Sequence, residues 1–189
     1  RIGSYTKKLR DFPERERELW RVFDKIPFEE QIALEKASKE TVLALLDYVA
    51  YFRLLNQPLP ETHEAVLDAL ASDDIIHRTE GNLWDVTNLG AILFAHNLSQ
   101  FKHLARKTVR IILYKGNNKL ETVRELDNDK GYAIGFEGII DTLKLILPTN
   151  EVIGQAFRRE VPMYPELALR ELIANALIHQ DFSFTSTYP

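Results

Sequence analysis

Glu171, Asn175 and His179 stand at intervals of four in the stretch YPELALRELIANALIHQDF, residues 164–182. A carboxylate can orient or deprotonate a water molecule. A neutral amide oxygen is a suitable hard donor for magnesium, which prefers oxygen ligands and keeps several waters. Side chains four apart on a helix share a face, drifting by about 40° per step, so the three draw one polar stripe. The rest of the helix carries Leu172, Ile173, Ala174, Ala176, Leu177 and Ile178. That apolar circumference predicts a helix mostly covered by protein, and a polar stripe on a buried helix has to meet something polar. Spacing alone leaves two readings open. One helical turn between Glu171 and Asn175 suits a shared metal and nucleotide site. Alternatively, Glu171 pairs with Arg170 or another base and Asn175 caps a neighbouring backbone group.

Other chemical signals are weaker. GYAIGFEG places Gly131, Gly135 and Gly138 ahead of a predicted helix, where backbone amides could approach phosphate. The spacing matches neither phosphate-loop fingerprint, and a turn with a close packing contact accounts for it better. His63, His77, His96 and His103 form no zinc-binding pattern, and no serine sits in a nucleophile elbow. With no cysteine in the chain, disulfides, thiol nucleophiles and thiolate metal sites are excluded.

These residues have to be positioned by a chain of 189 residues, 45% hydrophobic, which is enough for one large domain or two small ones with a real core. No run of about 18 apolar residues suggests a membrane span and no leader resembles a signal peptide, so the expected compartment is cytoplasmic. A formal net charge of −4 argues against nucleic-acid binding by bulk electrostatics, leaving only a local basic patch for that role. The start at Arg1 without Met, and the stop after FSFTSTYP, read as a fragment cut from a longer protein.

The elements follow from patterning. After Pro13 a charge-alternating helix is predicted with Leu19, Trp20 and Phe23 inward, and the Lys7, Lys8, Arg10 cluster reads as solvated surface. SKETVLALLDYVAYFRLLNQ predicts one helix with Val42, Leu45, Leu46, Val49 and Phe52 at helical spacing. Pro60 should start the next helix, through PETHEAVLDALASDD. A short hairpin is expected from Ile76 to Val86 around Glu80, Gly81 and Asn82. Thr87 or Asn88 should then cap a helix carrying Leu89, Ala91, Ile92, Leu93 and Phe94. Helix, helix, hairpin, helix is the outline of a winged helix-turn-helix module. Its second helix, with Glu61, Glu64, Asp68, Asp73 and Asp74, is acidic where a DNA-reading helix should be neutral or basic. Any DNA contact by this module would have to come from basic positions such as Arg78, Arg53 or Lys39. From residue 108, TVRIILY and KLETVREL predict a hairpin across KGNN, FEGIIDTLKLILP a helix stopped by Pro148, AFRREVPMY a short link, Pro165 the start of the striped helix, and FSFTST a further strand. The expected class is α+β rather than βαβ repeats.

The stripe resembles the first conserved box, Glu-x-x-x-Asn-x-x-x-His/Lys/Arg, of the gyrase, histidine kinase and mismatch-repair ATPase superfamily (GHKL). More narrowly, it is similar to the version in bacterial transcriptional regulators labelled RecG-like, with a Schlafen-type AlbA-like N-terminal domain. RIGSYT, WDVTNLGAILFA and VRIILYKGNNKLET agree with that group. The resemblance implies three portions: residues 1–27 as the tail of an AlbA-like domain and a linker helix, 28–105 as the winged-helix-like module, and 106–189 as the α+β start of a GHKL-like ATPase domain. It implies Glu171 as the water-activating base, Asn175 as the magnesium ligand, and His179 as a phosphate-side or structural partner. The superfamily's adenine-binding box and glycine-rich lid lie downstream of this stretch and are degenerate in the group. The implied picture is therefore an inactive fragment of a DNA-associated regulator that, at full length, uses ATP and magnesium as a weak ATPase, with DNA and a second copy of itself as partners. The alternative is a non-catalytic connector or dimerisation module whose stripe is structural.

Overall fold

A computed structural model of the protein describes residues 8–16, 19, 26–116, 121–153, 158–180 and 182. Four short polar residues decide where helices begin in its first half. Ser38 Oγ accepts from Thr41 N at 3.2 Å, Asp47 Oδ1 from Ala50 N at 2.9 Å, Thr62 Oγ1 from Ala65 N at 3.3 Å and Thr87 Oγ1 from Gly90 N at 3.0 Å. Each satisfies an orphan amide of a first turn, worth about 1 kcal/mol per cap. The helices they open are α1 (Lys39–Leu45), α2 (Tyr48–Leu54), α3 (His63–Ser72) and α4 (Asn88–Phe94).

These caps correct two expectations. The single helix expected from Ser38 onward is two, because Leu46 is extended (φ −107°, ψ 135°) and bridges Ala95, while Asp47 N donates to Phe94 O at 2.8 Å and caps the next helix. Leu46 is fully buried, but Val49, expected on the same face, is 50% exposed. Pro60 does not open α3, because Thr62 supplies the cap and the first turn begins at His63.

The hairpin around Gly81 is present, as β2 (Ile76–Arg78) and β3 (Trp84–Thr87), with Ile76 opposite Val86 and Arg78 opposite Trp84. Gly81 and Asn82 both take positive φ, 74° and 58°, at its tip. A strand that the sequence did not announce, β1 (Ile32–Ala37), pairs antiparallel with β3, so the sheet order is β1-β3-β2. Its pattern is broken by Lys36, whose φ is 52° and whose amide donates to Asp85 Oδ1 at 2.6 Å. The helices and this sheet enclose one apolar core that includes Val42, Phe52, Leu67, Ile76, Val86 and Phe94. Tyr51 sits edge-on to Phe52 and Phe94 and donates to Asp73 Oδ2 at 2.7 Å. Its burial, reinforced by that carboxylate, pushes the phenol pKa up to about 12.

The remaining elements are β4 (Val109–Tyr114) and β5 (Thr122–Asn128) in one antiparallel hairpin, α5 (Tyr132–Ile146), β6 (Thr149–Ile153) and β7 (Arg158–Pro162) in a second hairpin, and α6 (Glu166–Ile178). The fold is mixed α+β, and among the described residues the strands form three small sheets, each paired antiparallel. Helix α5 starts four residues before FEGIIDTLKLILP, capped at Gly131, and ends where Leu147 adopts the extended backbone required ahead of Pro148. Gly135 and Gly138 therefore lie inside the helix rather than in a loop ahead of it. The second hairpin replaces the expected link through AFRREVPMY; its charges and flanking prolines conceal strand character in the sequence. Near the start, residues 13–16 are helical and Leu19 is 41% exposed instead of inward. Trp20, Phe23, Lys7, RIGSYT and residues 183–187 of the expected FSFTST strand fall outside the described residues. Among the described residues no helix is long and apolar enough to cross a membrane.

Gly131, the N-cap of α5, and Gly138, inside it, should respond oppositely to alanine. A Cβ on Gly131 would lie 2.6 Å from Leu93 O and 2.8 Å from Ala95 N, backbone atoms that cannot yield, whereas one on Gly138 meets nothing within 4 Å. Gly131→Ala is expected to destabilise by about 3 kcal/mol. Gly138→Ala, in a helix interior, should stabilise by about 0.5–1 kcal/mol. Urea unfolding of the two variants beside the parent checks both signs.

Candidate functional site

Helix α6 begins after Pro165 and runs 13 residues to Ile178. One flank of it packs: Leu169, Arg170, Ile173, Ala174 and Leu177 are partly buried, the spacing by which a helix lays one face on a neighbour. That neighbour is α5. The Arg170 guanidinium makes two parallel hydrogen bonds to Glu137, at 2.6 and 2.7 Å, and lies 5.2 Å from the Phe136 ring centre. Lys144 Nζ meets Glu166 Oε2 at 2.8 Å near the start of the helix.

Beyond the end of the helix, Gln180 Nε2 donates to Tyr132 Oη at 3.3 Å, and Tyr132 donates to Lys107 O at 2.6 Å. Lys107 Nζ in turn donates to Phe182 O at 2.8 Å, while the Phe182 ring stacks on Phe28 at 5.2 Å. Burial raises the Tyr132 phenol pKa above its ordinary value. The phenol is a neutral link at physiological pH.

The structure places Glu171, Asn175 and His179 as follows. Glu171 and Asn175 lie on the exposed side of α6; His179 follows as the C-cap, its amide donating to Asn175 O at 3.0 Å. All three are exposed. Among the described residues, none of their side chains takes part in a hydrogen bond or ion pair. Arg170, the nearest base in sequence, is committed to Glu137 rather than to Glu171. The expectation that most of the helix is covered fails: Leu167, Leu172 and Ile178 are 71%, 66% and 71% exposed. Among the described residues, α5 is the element most in contact with α6, along one flank.

The donor chemistry of the stripe suits a magnesium nucleotide in one respect: an accessible amide oxygen and an accessible carboxylate one turn apart on the same side. No group of three His, Cys, Asp or Glu side chains suited to a metal occurs among the described residues. An ion at Asn175 would thus take its other donors from phosphate oxygens and water, the usual mode for magnesium with nucleotides.

The other residues singled out in the sequence are not brought to the stripe. His77 Nε2 lies 3.6 Å from Asp74 Oδ1, Lys39 Nζ meets Glu64 Oε1 at 3.3 Å, and Arg78 lies over the Trp84 ring at 5.3 Å. Sequence reasoning missed a groove of about 840 Å³ on the adjoining flank of α6, lined by residues of α4, α5 and α6 with Phe28, Glu29, Arg53 and Phe182. Asn88 stands in its wall. In the sequence that residue read as a helix cap, and nothing in a Thr-Asn pair before an apolar run distinguishes a cap from a wall.

Hydrogen bonds from Arg170 hold the Glu137 carboxyl below its ordinary pKa of 4.5. A carboxylate depressed by folding contributes fully above its unfolded value, and the contribution disappears as pH falls through the folded one. Both groups are solvated, so the effect is local and salt-screened. Amide exchange in residues 166–178 is expected to speed up below about pH 4.5 relative to α1–α4, and Glu137→Gln should produce the same loosening at neutral pH.

No family model, curated protein or solved structure matches the chain, so its functional reading rests on this geometry and on the resemblance of its motifs.

Proposed function

We propose that the chain belongs to a DNA-associated regulator of the RecG-like group and contributes the first helix of its ATP site. Glu171 would be the water-activating base, Asn175 the magnesium ligand and His179 a phosphate-side partner. The observation that carries this reading is the direction of the stripe. Three polar side chains at box spacing, two on α6 and one at its C-cap, are exposed and without protein partners among the described residues, while Arg170 is paired with Glu137. Bound magnesium would screen the phosphate charge and polarise the phosphoryl group. Glu171 would hold a water and accept its proton, and His179, at the end of the helix, would face the phosphate side.

Strand order β1-β3-β2 with α1, α2 and α3 between its first two strands supports a winged-helix-like reading of residues 28–105. Charge argues against α3 as a DNA-reading helix. Glu64 and Asp68 occupy its exposed face, Lys39 is neutralised by Glu64, and Arg78 is stacked on Trp84. In this reading the module is a connector, and DNA contact is made elsewhere in the longer protein.

A second reading, a dimerisation module with a structural stripe, draws on one observation: Leu167, Leu172 and Ile178 are exposed on the same helix. The two separate cleanly in the full-length protein. For the ATP site, Glu171→Ala should reduce ATP hydrolysis by roughly 10²–10⁴-fold with little change in binding, and Asn175→Ala should weaken the magnesium dependence of binding. Calorimetric titration of ATP with and without magnesium, beside a phosphate-release assay, reads both. No ATP binding by the parent would overturn the assignment. For the dimer, Leu172→Glu should shift the sedimentation coefficient to that of a monomer.

A further inference from the structure

We infer that Glu137 is a positioning residue for the stripe: through Arg170 it fixes the rotation of α6 about its own axis, and with it the direction of Glu171 and Asn175. Packing alone determines that rotation weakly. No residue of α6 is buried, so no side chain locks it as Val66, Leu67 and Leu70 lock α3 into the core. On its packed flank Ala174 is small, and Leu169, Ile173 and Leu177 are only partly buried. Polar contacts therefore select among rotations that differ little in packing. Lys144 meets Glu166 by one contact at 2.8 Å between two half-exposed side chains, which leaves the angle free. The Arg170 guanidinium instead meets both oxygens of Glu137, at 2.7 and 2.6 Å, and lies 5.2 Å from the Phe136 ring centre. Two parallel bonds fix orientation as well as distance, the geometry in which a solvated pair matters beyond its charge.

The magnitudes make the angle matter. Arg170 precedes Glu171 directly, so the fork and the stripe stand about 100–140° apart on one stiff cylinder. Side chains end about 5–6 Å from a helix axis, and a rotation of about 20° displaces their tips by about 2 Å. A misplacement of about 1 Å costs a factor of about 10² in rate where a water has to be held for attack. The effect on rate rests on the ATP reading. The effect on the direction of the stripe does not.

Ala168 is exposed and stands two turns before Asn175 on the same face. The chain has no cysteine, so spin labels at Ala168→Cys and, on α3, at the exposed Asp68→Cys read the direction of the stripe by electron–electron double resonance without touching it. Expected is one narrow distance distribution in the parent. In Glu137→Gln and Arg170→Gln alike it should broaden or move by about 2 Å, the two substitutions together adding nothing to either alone. Lys144→Gln should leave it unchanged. In the full-length protein Glu137→Gln should lower kcat for ATP hydrolysis roughly 10–100-fold, with KM for ATP unchanged within about twofold. Far-UV circular dichroism establishes that each variant is folded. A distribution in folded Glu137→Gln that matches the parent's, an equal change in Lys144→Gln, or hydrolysis by Glu137→Gln at the parent's kcat would each overturn the inference. A parent without ATP hydrolysis would instead overturn the ATP reading, and the label distances would still decide the positioning.

Discussion

The placement of α6 depends on a backbone contact between the end of α4 and the start of α5. Gly131 N donates to Ala95 O at 2.8 Å, and the glycine lies so close to Leu93 and Ala95 that no Cβ fits. Leu98 N to Asp129 O at 2.7 Å and Asn97 Nδ2 to Asp129 Oδ2 at 2.6 Å extend the junction on one side. On the other, Tyr132 enters the shared core and reaches Lys107 O. Through these bonds α5 inherits its position from the β1-β3-β2 module, and everything carried by α5, including Glu137 and Lys144, is placed relative to that module.

Helix α6 is held less firmly than the helix it rests on. Its two ion pairs to α5 are solvated, and such pairs contribute little individually. Its first turn has no side-chain cap. More of its anchorage comes from its far end, where Gln180 and Phe182 reach Tyr132, Lys107 and Phe28. A helix fixed mainly past its C-terminus, with few buried side chains, opens at a lower free energy than the core helices. His179 and Asn175 lie near the anchored end and Glu171 nearer the loose one, so a ligand bridging the stripe would stiffen the helix from the Glu171 end.

Much of the fold was legible because it rests on local chemistry. Thr87 before an apolar run, Glu-Gly-Asn between two apolar pairs, and Pro165 before the striped stretch each marked an element boundary that the structure keeps. Failures arose where a non-local partner overrode the local pattern. Leu46 continues a helical period, but its pairing with Ala95 and the cap at Asp47 break the helix there. Strand β1 exists because β3 offers an edge, and the segment Ile32–Ala37 carries too little alternation to announce that by itself. In the candidate site, the residue types and the common helix were readable from spacing, whereas solvent exposure was not. Periodicity says which side chains share a face and is silent on how many neighbours arrive to cover the others.

The apolar circumference of α6 and its exposed stripe are reconciled by dividing the helix into flanks. Arg170, Ala174 and Leu177 face the groove and α5, Glu171 and Asn175 face outward, and Leu172 adds a largely exposed apolar surface. A 13-residue helix is a rod of about 20 Å, too stiff to bend between adjacent side chains. Any rotation of the helix that moves Ala174 therefore turns Glu171 and Asn175 by the same angle. The Arg170–Glu137 fork resists that rotation, because two parallel hydrogen bonds fix orientation as well as distance. The pair thus sets the orientation of the stripe without touching it, through the one side chain on α6 that is hydrogen-bonded to α5 on both arms of a guanidinium.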